Sequence, residues 1–509
     1  MVASVMPALA SWRVRQRDER VVEGWRYRET WKPLGGAHSL SGRVGSGRWL
    51  VVVPEGMCGD AWVAAVVGAL GSGGVVVEDG GVGCAGLAER LRGAAEGVSA
   101  EGVSVAGVVS LGAALASGVM AGLVSTAVLL QALQDAGLAV GLWVVTRGAV
   151  SVGGRDAVTA PWQGGVWGLG RVAALERPAV WGGLVDLPES LDGRCARGFA
   201  AVVSGVVGED QVAVRSSGLF GRRLVHASGS GFGGSSWVTS GTALVTGGTG
   251  GLGAYVARWL VERGAEHVVL LSRRGPDAEG ADVLRLELET AGARVTVLAC
   301  DVADRQALGG VVAGIPEEWP LRTVVHAAGV MGESVPVTSM GLGQFEELLR
   351  GKVEGARYLD ELTRGLDLDA FVLFSSGAAA WGSGGQGGYA AGNAYLDALA
   401  GYRRAQGGRA TSVAWGSWDE AGMLIDAAGQ HRERLDALGV VPMRPELALA
   451  ALQRVLHDDE TTIVIADMDW ARFAPIFTAA RASALLSDLP EVAQALQTPG
   501  GDHTLSGGL

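Results

Sequence analysis

Lysine is almost missing from this chain of 509 residues, which contains Lys32, Lys352 and no other. No Lys/Arg cluster offsets the net charge of −12, so there is no basic face for nucleic acid. Cysteine is nearly as rare. Cys58, Cys84, Cys195 and Cys300 are scattered, with no CxxC pair and no His/Cys spacing suited to a metal. That argues against a disulfide framework or a metal site and fits reduced thiols in a cytoplasmic protein. The N-terminus has a short apolar stretch but neither the basic leader nor the full apolar core of a signal peptide. Charged residues make up only 18% of the chain and are absent from Gly102 to Gln134. This run exceeds the roughly 20 residues that a membrane span requires. Gly102, Gly107, Gly112, Gly118 and Gly122 break it, however, and Ser104, Ser110, Ser117 and Ser125 add polarity. A buried strand over 105–111, a loop and a core-facing helix over 123–136 fit better, and no membrane segment is expected.

What is present is glycine, 82 residues of 509, in a chain that is 48% apolar and too long for one ordinary core. Residues 1–24 begin apolar, then carry Arg13, Arg15, Arg17 and Arg20, and read as an N-terminal linker or short leading helix. Residues 26–32 alternate like a strand. From Arg48 onward strand and helix patterns alternate, which implies a doubly wound parallel sheet. The turn after the first of these strands is Pro54-Glu55-Gly56, so this part has nucleotide-fold topology without a phosphate loop. A hairpin over 211–225 closes it. A Gly/Ser-rich linker follows at 227–236. The alternation then starts again and continues to a last strand near 461–466. The expected fold is therefore α/β, with two Rossmann-like subdomains. Residues 25–230 form a truncated one without a cofactor site, and residues 231–475 form the nucleotide-binding one. Residues 476–509, where patterning fades, read as a C-terminal linker.

The strongest local signal is Thr246-Gly247-Gly248-Thr249-Gly250-Gly251-Leu252-Gly253, set between a strand and a helix. Glycines there let the backbone approach a pyrophosphate at the helix N-terminus. The second strand ends in Ser272-Arg273-Arg274, where NAD would call for an acid; arginines suit the 2′-phosphate of NADP. Asp301-Val302 closes the third strand. Asp301 either bonds the adenine or caps the following helix. Tyr389 lies thirteen residues after Ser376 and four before Asn393. On a helix over 388–403, Tyr389 and Asn393 share a face. With Ser376 they make a proton donor for a ketone, given a hydride donor beside them.

The glycine run, His326-Ala327-Ala328-Gly329, Ser376 and Tyr389 resemble the short-chain dehydrogenase/reductase pattern. More closely, residues 25 to about 470 resemble the ketoreductase domains of modular type I polyketide synthases, including the cofactor-free first half. The stretch from Trp162 to Arg171 is similar to a signature of that half. The resemblance implies NADPH as cofactor, bound by 246–253 (Thr246, Gly247, Thr249, Gly250, Gly251, Leu252, Gly253), by Ser272, Arg273, Arg274, Asp301 and Val302, and by His326, Ala327, Ala328 and Gly329. It implies catalysis by Tyr389, Ser376, Lys352 and Asn393. Most short-chain reductases have a lysine where Asn393 stands; in this family the two exchange places, and Lys352 comes from the preceding long helix, where it lowers the tyrosine's pKa. The substrate implied is a β-ketoacyl group on the phosphopantetheine of an acyl carrier protein, with neighbouring synthase domains as further partners and the two ends of the chain as cuts within a larger synthase.

The resemblance also bears on stereochemistry. Met331-Gly332-Glu333 stands where B-type members have Leu-Asp-Asp. Trp381 lies eight residues before Tyr389, as in A-type members, and Gln386 stands where the epimerising variant has histidine. The implied type is A1, giving an L-β-hydroxyacyl product with an unepimerised α-carbon. Gly377, Met423 and Leu424 complete the expected substrate and lid region, with Gly416 and Gly422 as hinges. Plain packing is the competing account of Trp381, Met423 and Leu424. A redox-inactive structural or epimerase-type domain and a free-standing alcohol dehydrogenase are the competing functions.

Overall fold

The computed structural model describes residues 13, 16–35, 47–227, 237–419 and 430–497. The Gly/Ser linker, apart from Ala227, and the lid residues Gly422, Met423 and Leu424 lie outside the described residues. So does the tail beyond Gln497.

One sheet of 15 strands runs through both halves. In the second half, Thr242–Thr246 sits between His267–Ser272 and Leu321–His326; Arg294–Ala299 lies outside the former, and Ala370–Ser376, Thr411–Trp415 and Thr462–Ile465 follow on the other side. All these pairs are parallel. Thr242–Thr246 is buried at every position, as expected of a parallel strand with helices on both faces. In the first half, Arg48–Val53 lies between Gly74–Glu78 and Val105–Ser110, and Leu142–Arg147 and Trp181–Leu187 continue the parallel sheet. The expected hairpin is there, Gln211–Arg215 with Gly218–His226.

The strand Arg26–Pro33 joins the halves. It pairs antiparallel with Thr462–Ile465 on one side and with Gly218–His226 on the other. Two separate sheets were the simplest expectation; sharing this strand removes two open edges. Residues 476–497 also depart from the expected linker. Leu485, Leu486, Leu489 and Val492 are buried with Tyr27, Trp381 and Trp470, and the Leu224 N–H donates to the Leu485 carbonyl. Scattered apolar residues over a joint carry no period, which is why the segment looked patternless.

The halves also meet helix to helix. Gly164–Glu176 packs on Gly387–Ala405, the helix that carries Tyr389. A methyl group on Gly168 would lie 2.2 Å from the Ala390 carbonyl oxygen, so only glycine allows this approach. The 102–134 run becomes the strand ending at Ser110, the short helix Gly112–Leu115 and most of the helix Val119–Asp135. No helix among the described residues is long and apolar enough to cross a membrane.

Candidate active site

In the first half the position of a phosphate loop is filled by the chain's own acids. Asp79 accepts from the Glu55 N–H and Glu78 from the Gly56 N–H, and Asp60 caps the helix Ala61–Ala69 through the N–H groups of Trp62 and Val63. In the second half the equivalent helix, Gly251–Glu262, begins at Gly250 with no side-chain cap. Its free N–H groups and the positive end of its dipole stay open to an anion. Gly247 has φ of +69°, and a Cβ on Gly253 would lie 2.1 Å from the Gly247 carbonyl oxygen. The loop thus folds tightly on itself and keeps its rim free of side chains. Arg273 and Arg274 are exposed beyond the next strand with no ion-pair partner among the described residues, while Ser272 accepts from the Gly275 N–H. These residues fit a phosphorylated dinucleotide.

Asp301 does not cap the following helix. Asp304 does so, for Arg305–Ala313. Asp301 accepts instead from the Ala303 N–H at 3.0 Å and pairs with Arg350 at 2.9 Å. Burial works to raise its pKa, but these hydrogen bonds and the Arg350 charge hold it below the ordinary carboxylate value. Val302 is buried, and its side chain packs beside Gly355.

The expected long helix over 343–362 is continuous but not uniform. Leu342–Leu349 passes through a π-helical turn, Arg350–Glu354, into Gly355–Thr363. Lys352 lies in this turn and is only 4% exposed. Such turns re-aim side chains and recur at functional sites. The Lys352 Nζ donates to the Phe374 carbonyl at 3.0 Å and sits 5.8 Å from the centre of the Tyr389 ring. The turn is held by a polar chain. Ala328 N–H donates to Thr246 Oγ1 at 3.3 Å, Thr246 Oγ1 bonds His326 Nδ1 at 2.8 Å, and His326 Nε2 bonds the Lys352 carbonyl at 3.0 Å. That carbonyl can only accept, so Nε2 carries the proton and Nδ1 accepts from Thr246. Burial and the Lys352 charge push His326 down to about 3, so it stays neutral.

Ser376 ends its strand and caps the short helix Gly377–Trp381, its Oγ accepting from the Ala378 N–H. Its hydroxyl proton therefore remains free to donate. Burial raises the Tyr389 pKa, and hydrogen bonding by Ser376 and Asn393 pulls the other way. The net shift is upward, where a lowering was expected from the sequence, because desolvation outweighs these hydrogen bonds. A phenol held protonated is what a proton donor requires. Lys352 is itself lowered to about 8 by burial, against the pull of Asp397. Asn393 is fully buried. Its Nδ2 donates to the Tyr389 carbonyl at 2.8 Å, and its Oδ1 has no partner among the described residues. An orphaned buried acceptor marks a place for an incoming donor, such as a ribose hydroxyl or a water.

Lys352, Ser376, Tyr389, Trp381 and Gln386 open onto one cavity of about 1130 Å³, with Leu252 and Ala327 on its nucleotide side. That volume suits a cofactor end together with a substrate. Trp381 stands edge-on to Trp470 and Phe473 in the cavity wall. Its indole explains Gly377: a Cβ there would lie 2.4 Å from the ring. Gln386 begins the helix of Tyr389 and bridges Val335.

The family model of the KR domain matches residues 241–420, and that of the Rossmann-fold domain of the polyketide synthase extender module SpnB matches residues 49–224. Polyketide synthase GfsA of Streptomyces halstedii is 50% identical over 500 residues, 96% of this chain and 7% of that protein. A solved A1-type ketoreductase is 48% identical with a TM-score of 0.88, over 94% of this chain and all of its own. A C2-type ketoreductase from a modular polyketide synthase is 43% identical with a TM-score of 0.82, over 92% of this chain and all of its own. The chain belongs to the ketoreductases of modular polyketide synthases. It spans a small fraction of its curated relative's length.

Three features of this ketoreductase were not read from its sequence. Glu176 and Arg171 of the first half line the cavity, although 209 and 213 residues, respectively, separate them in sequence from its Gly385 and Gly384. Asp397, one helical turn beyond Asn393, is raised to about 6 by burial and accepts from Ser412 Oγ at 2.6 Å. Its i+4 spacing from Asn393 was the one available signal.

Proposed function

We propose that this ketoreductase uses NADPH to reduce the β-keto group of an acyl thioester carried on the phosphopantetheine of an acyl carrier protein, in the cytoplasm and among neighbouring synthase domains. The enzyme is an oxidoreductase of the short-chain dehydrogenase/reductase superfamily, which binds a nicotinamide cofactor. The single observation that carries the reading is the convergence of Tyr389, Ser376 and Lys352 on one cavity beside an uncapped helix N-terminus, with Asn393 buried behind Tyr389 and bonded to its carbonyl.

The glycine loop would hold the pyrophosphate, Arg273 and Arg274 the 2′-phosphate, and Lys352 and Asn393 the ribose. The bound cofactor supplies a hydride to the carbonyl carbon. The protein does the rest. Tyr389 gives its phenolic proton to the carbonyl oxygen as charge develops there. The Ser376 hydroxyl donates to the same oxygen and orients the ketone. The Lys352 ammonium stabilises the phenolate that Tyr389 leaves.

The product we propose is the L-β-hydroxyacyl thioester with its α-carbon unepimerised, the A1 outcome. Trp381 in the cavity wall and Gln386 in place of histidine support it. Overall likeness does not choose the type, since both A1-type and C2-type structures superpose well. Incubation with a racemic 2-methyl-3-ketothioester and NADPH, with the four diastereomers resolved by chiral chromatography, tests the product; a 3R alcohol refutes it. Tyr389→Phe tests the mechanism: it is expected to abolish NADPH oxidation while nucleotide still binds, and retained turnover would refute the role of Tyr389.

A further inference from the structure

Among the charged side chains that the cofactor-free half sends across the joint, Glu176, Arg171 and Arg222 end on backbone atoms of segments that line the cavity. Glu176 accepts from the Val337 N–H through Oε2 and from the Gly385 N–H through Oε1, both at 2.7 Å. Arg171 donates to the Ala379 carbonyl, and Arg222 donates to the Ala380 carbonyl at 2.8 Å. The two arginines share Gln211 Oε1, at 3.1 Å and 3.0 Å. Arg222 is also paired with Glu29, whose pKa burial works to raise but the two guanidinium charges hold below its usual value.

Glu176 is the informative member. It is the last residue of the helix Gly164–Glu176, where a carboxylate meets the negative end of the dipole and is disfavoured. It has no ion-pair partner among the described residues, and both its oxygens are taken by backbone N–H groups of the other half. Those N–H groups belong to two loops already stitched together, by the Val335–Gln386 bridge and by the Val335 N–H on the Gly385 carbonyl at 2.8 Å. Gln386 begins the helix whose third residue is Tyr389. The stitch that Glu176 pins therefore sets the first turn of the catalytic helix, while the arginines pin the helix from Ser376 to Trp381 at its opposite end.

We propose that Glu176 is a positioning residue: from the cofactor-free half it fixes Tyr389 and Gln386 against Ser376 and Trp381, and so fixes which face of the ketone is presented. Arg171 and Arg222 hold the other wall in the same way. This rests on the function proposed above.

The test compares the native chain with Glu176→Gln, which keeps the volume but replaces one acceptor oxygen with a donor, and with Glu176→Asp, which keeps the charge but shortens the reach. Amide hydrogen exchange is read at Val337 and Gly385, without substrate. In parallel, the racemic 2-methyl-3-ketothioester is reduced and its diastereomers resolved, and NADPH affinity is measured by fluorescence. Glu176→Gln is expected to exchange at least tenfold faster at one or both amides and to raise the share of minor diastereomers several-fold. kcat/KM for the thioester should fall about tenfold with NADPH affinity within twofold of native. Unchanged exchange overturns the proposal, as does faster exchange with native product composition and native kcat/KM. If Glu176→Gln does not fold, Glu176→Asp carries the same reading, and native behaviour in both measurements again overturns it. A native chain that binds NADPH but reduces nothing refutes the proposed function itself and the positioning role with it.

Discussion

Replacing Lys352 by methionine should make this protein more stable and nearly inactive. Lys352 is buried and, among the described residues, its ammonium makes one protein hydrogen bond, to the Phe374 carbonyl. Burial lowers its pKa from 10.5 to about 8, which corresponds to roughly 3 kcal/mol of unfavourable charge burial at neutral pH. The sign follows from proton uptake. Between about pH 8 and 10.5 the unfolded chain holds the lysine proton and the folded chain does not, so this contribution makes stability rise with pH across that window. Below it the full penalty is present. Methionine removes the penalty and keeps most of the volume, but leaves the Phe374 carbonyl without its donor, at about 1 kcal/mol. The expected gain is about 2 kcal/mol in urea unfolding at pH 7 without nucleotide. Activity should move the opposite way. Loss of the charge that stabilises the Tyr389 phenolate should lower kcat about 10²–10³-fold. In the native enzyme kcat should fall above pH ~8 as Lys352 loses its proton, a limb that Tyr389, raised above its ordinary 10.0, cannot produce. A Lys352→Met protein less stable than native, or a native profile flat to pH 9.5, would refute this reasoning.

Gly377→Ala places a methyl 2.4 Å from the Trp381 indole, which should cost about 1–3 kcal/mol of stability and displace the ring. Minor diastereomers should increase in the thioester assay; unchanged product composition would show that Trp381 is packing and not a wall of the substrate site. His326, held near 3 against an ordinary 6.5, should make the fold acid-sensitive. Its contribution is complete above pH ~6.5 and falls by roughly 1.4 kcal/mol per pH unit on acidification, as the unfolded chain takes up the proton first. Denaturant unfolding at pH 7 and 5 should show this loss in the native chain and a smaller one in His326→Asn. Replacing Arg273 and Arg274 together by alanine should raise KM for NADPH at least tenfold and leave KM for NADH nearly unchanged, read by steady-state kinetics.

The glycine loop, the two arginines after it and the spacing of Ser376, Tyr389 and Asn393 are local features, and local patterns are legible without a fold. Strand–helix alternation was equally plain, because buried parallel strands read as short apolar runs. Lys352 stood out because the second half holds no other lysine. Its aim did not, since a π-helical turn has no marker in the residues that form it. The upward shift of Tyr389 was likewise hidden: its sign comes from how much protein surrounds the phenol, which spacing does not report.

By itself, then, the sequence determined which chemical groups this ketoreductase possesses and in which local turns they sit. Only the tertiary structure decided what holds them. It made one sheet of two halves through the strand Arg26–Pro33, filled the vacant phosphate position of the first half with Glu78 and Asp79, and placed Glu176, Arg171 and Arg222 on backbone atoms of the other half. The contacts of Glu176, Arg171 and Arg222 join residues more than 150 positions apart and end on peptide groups, which every residue possesses. No sequence pattern can mark them, because the partner is the backbone.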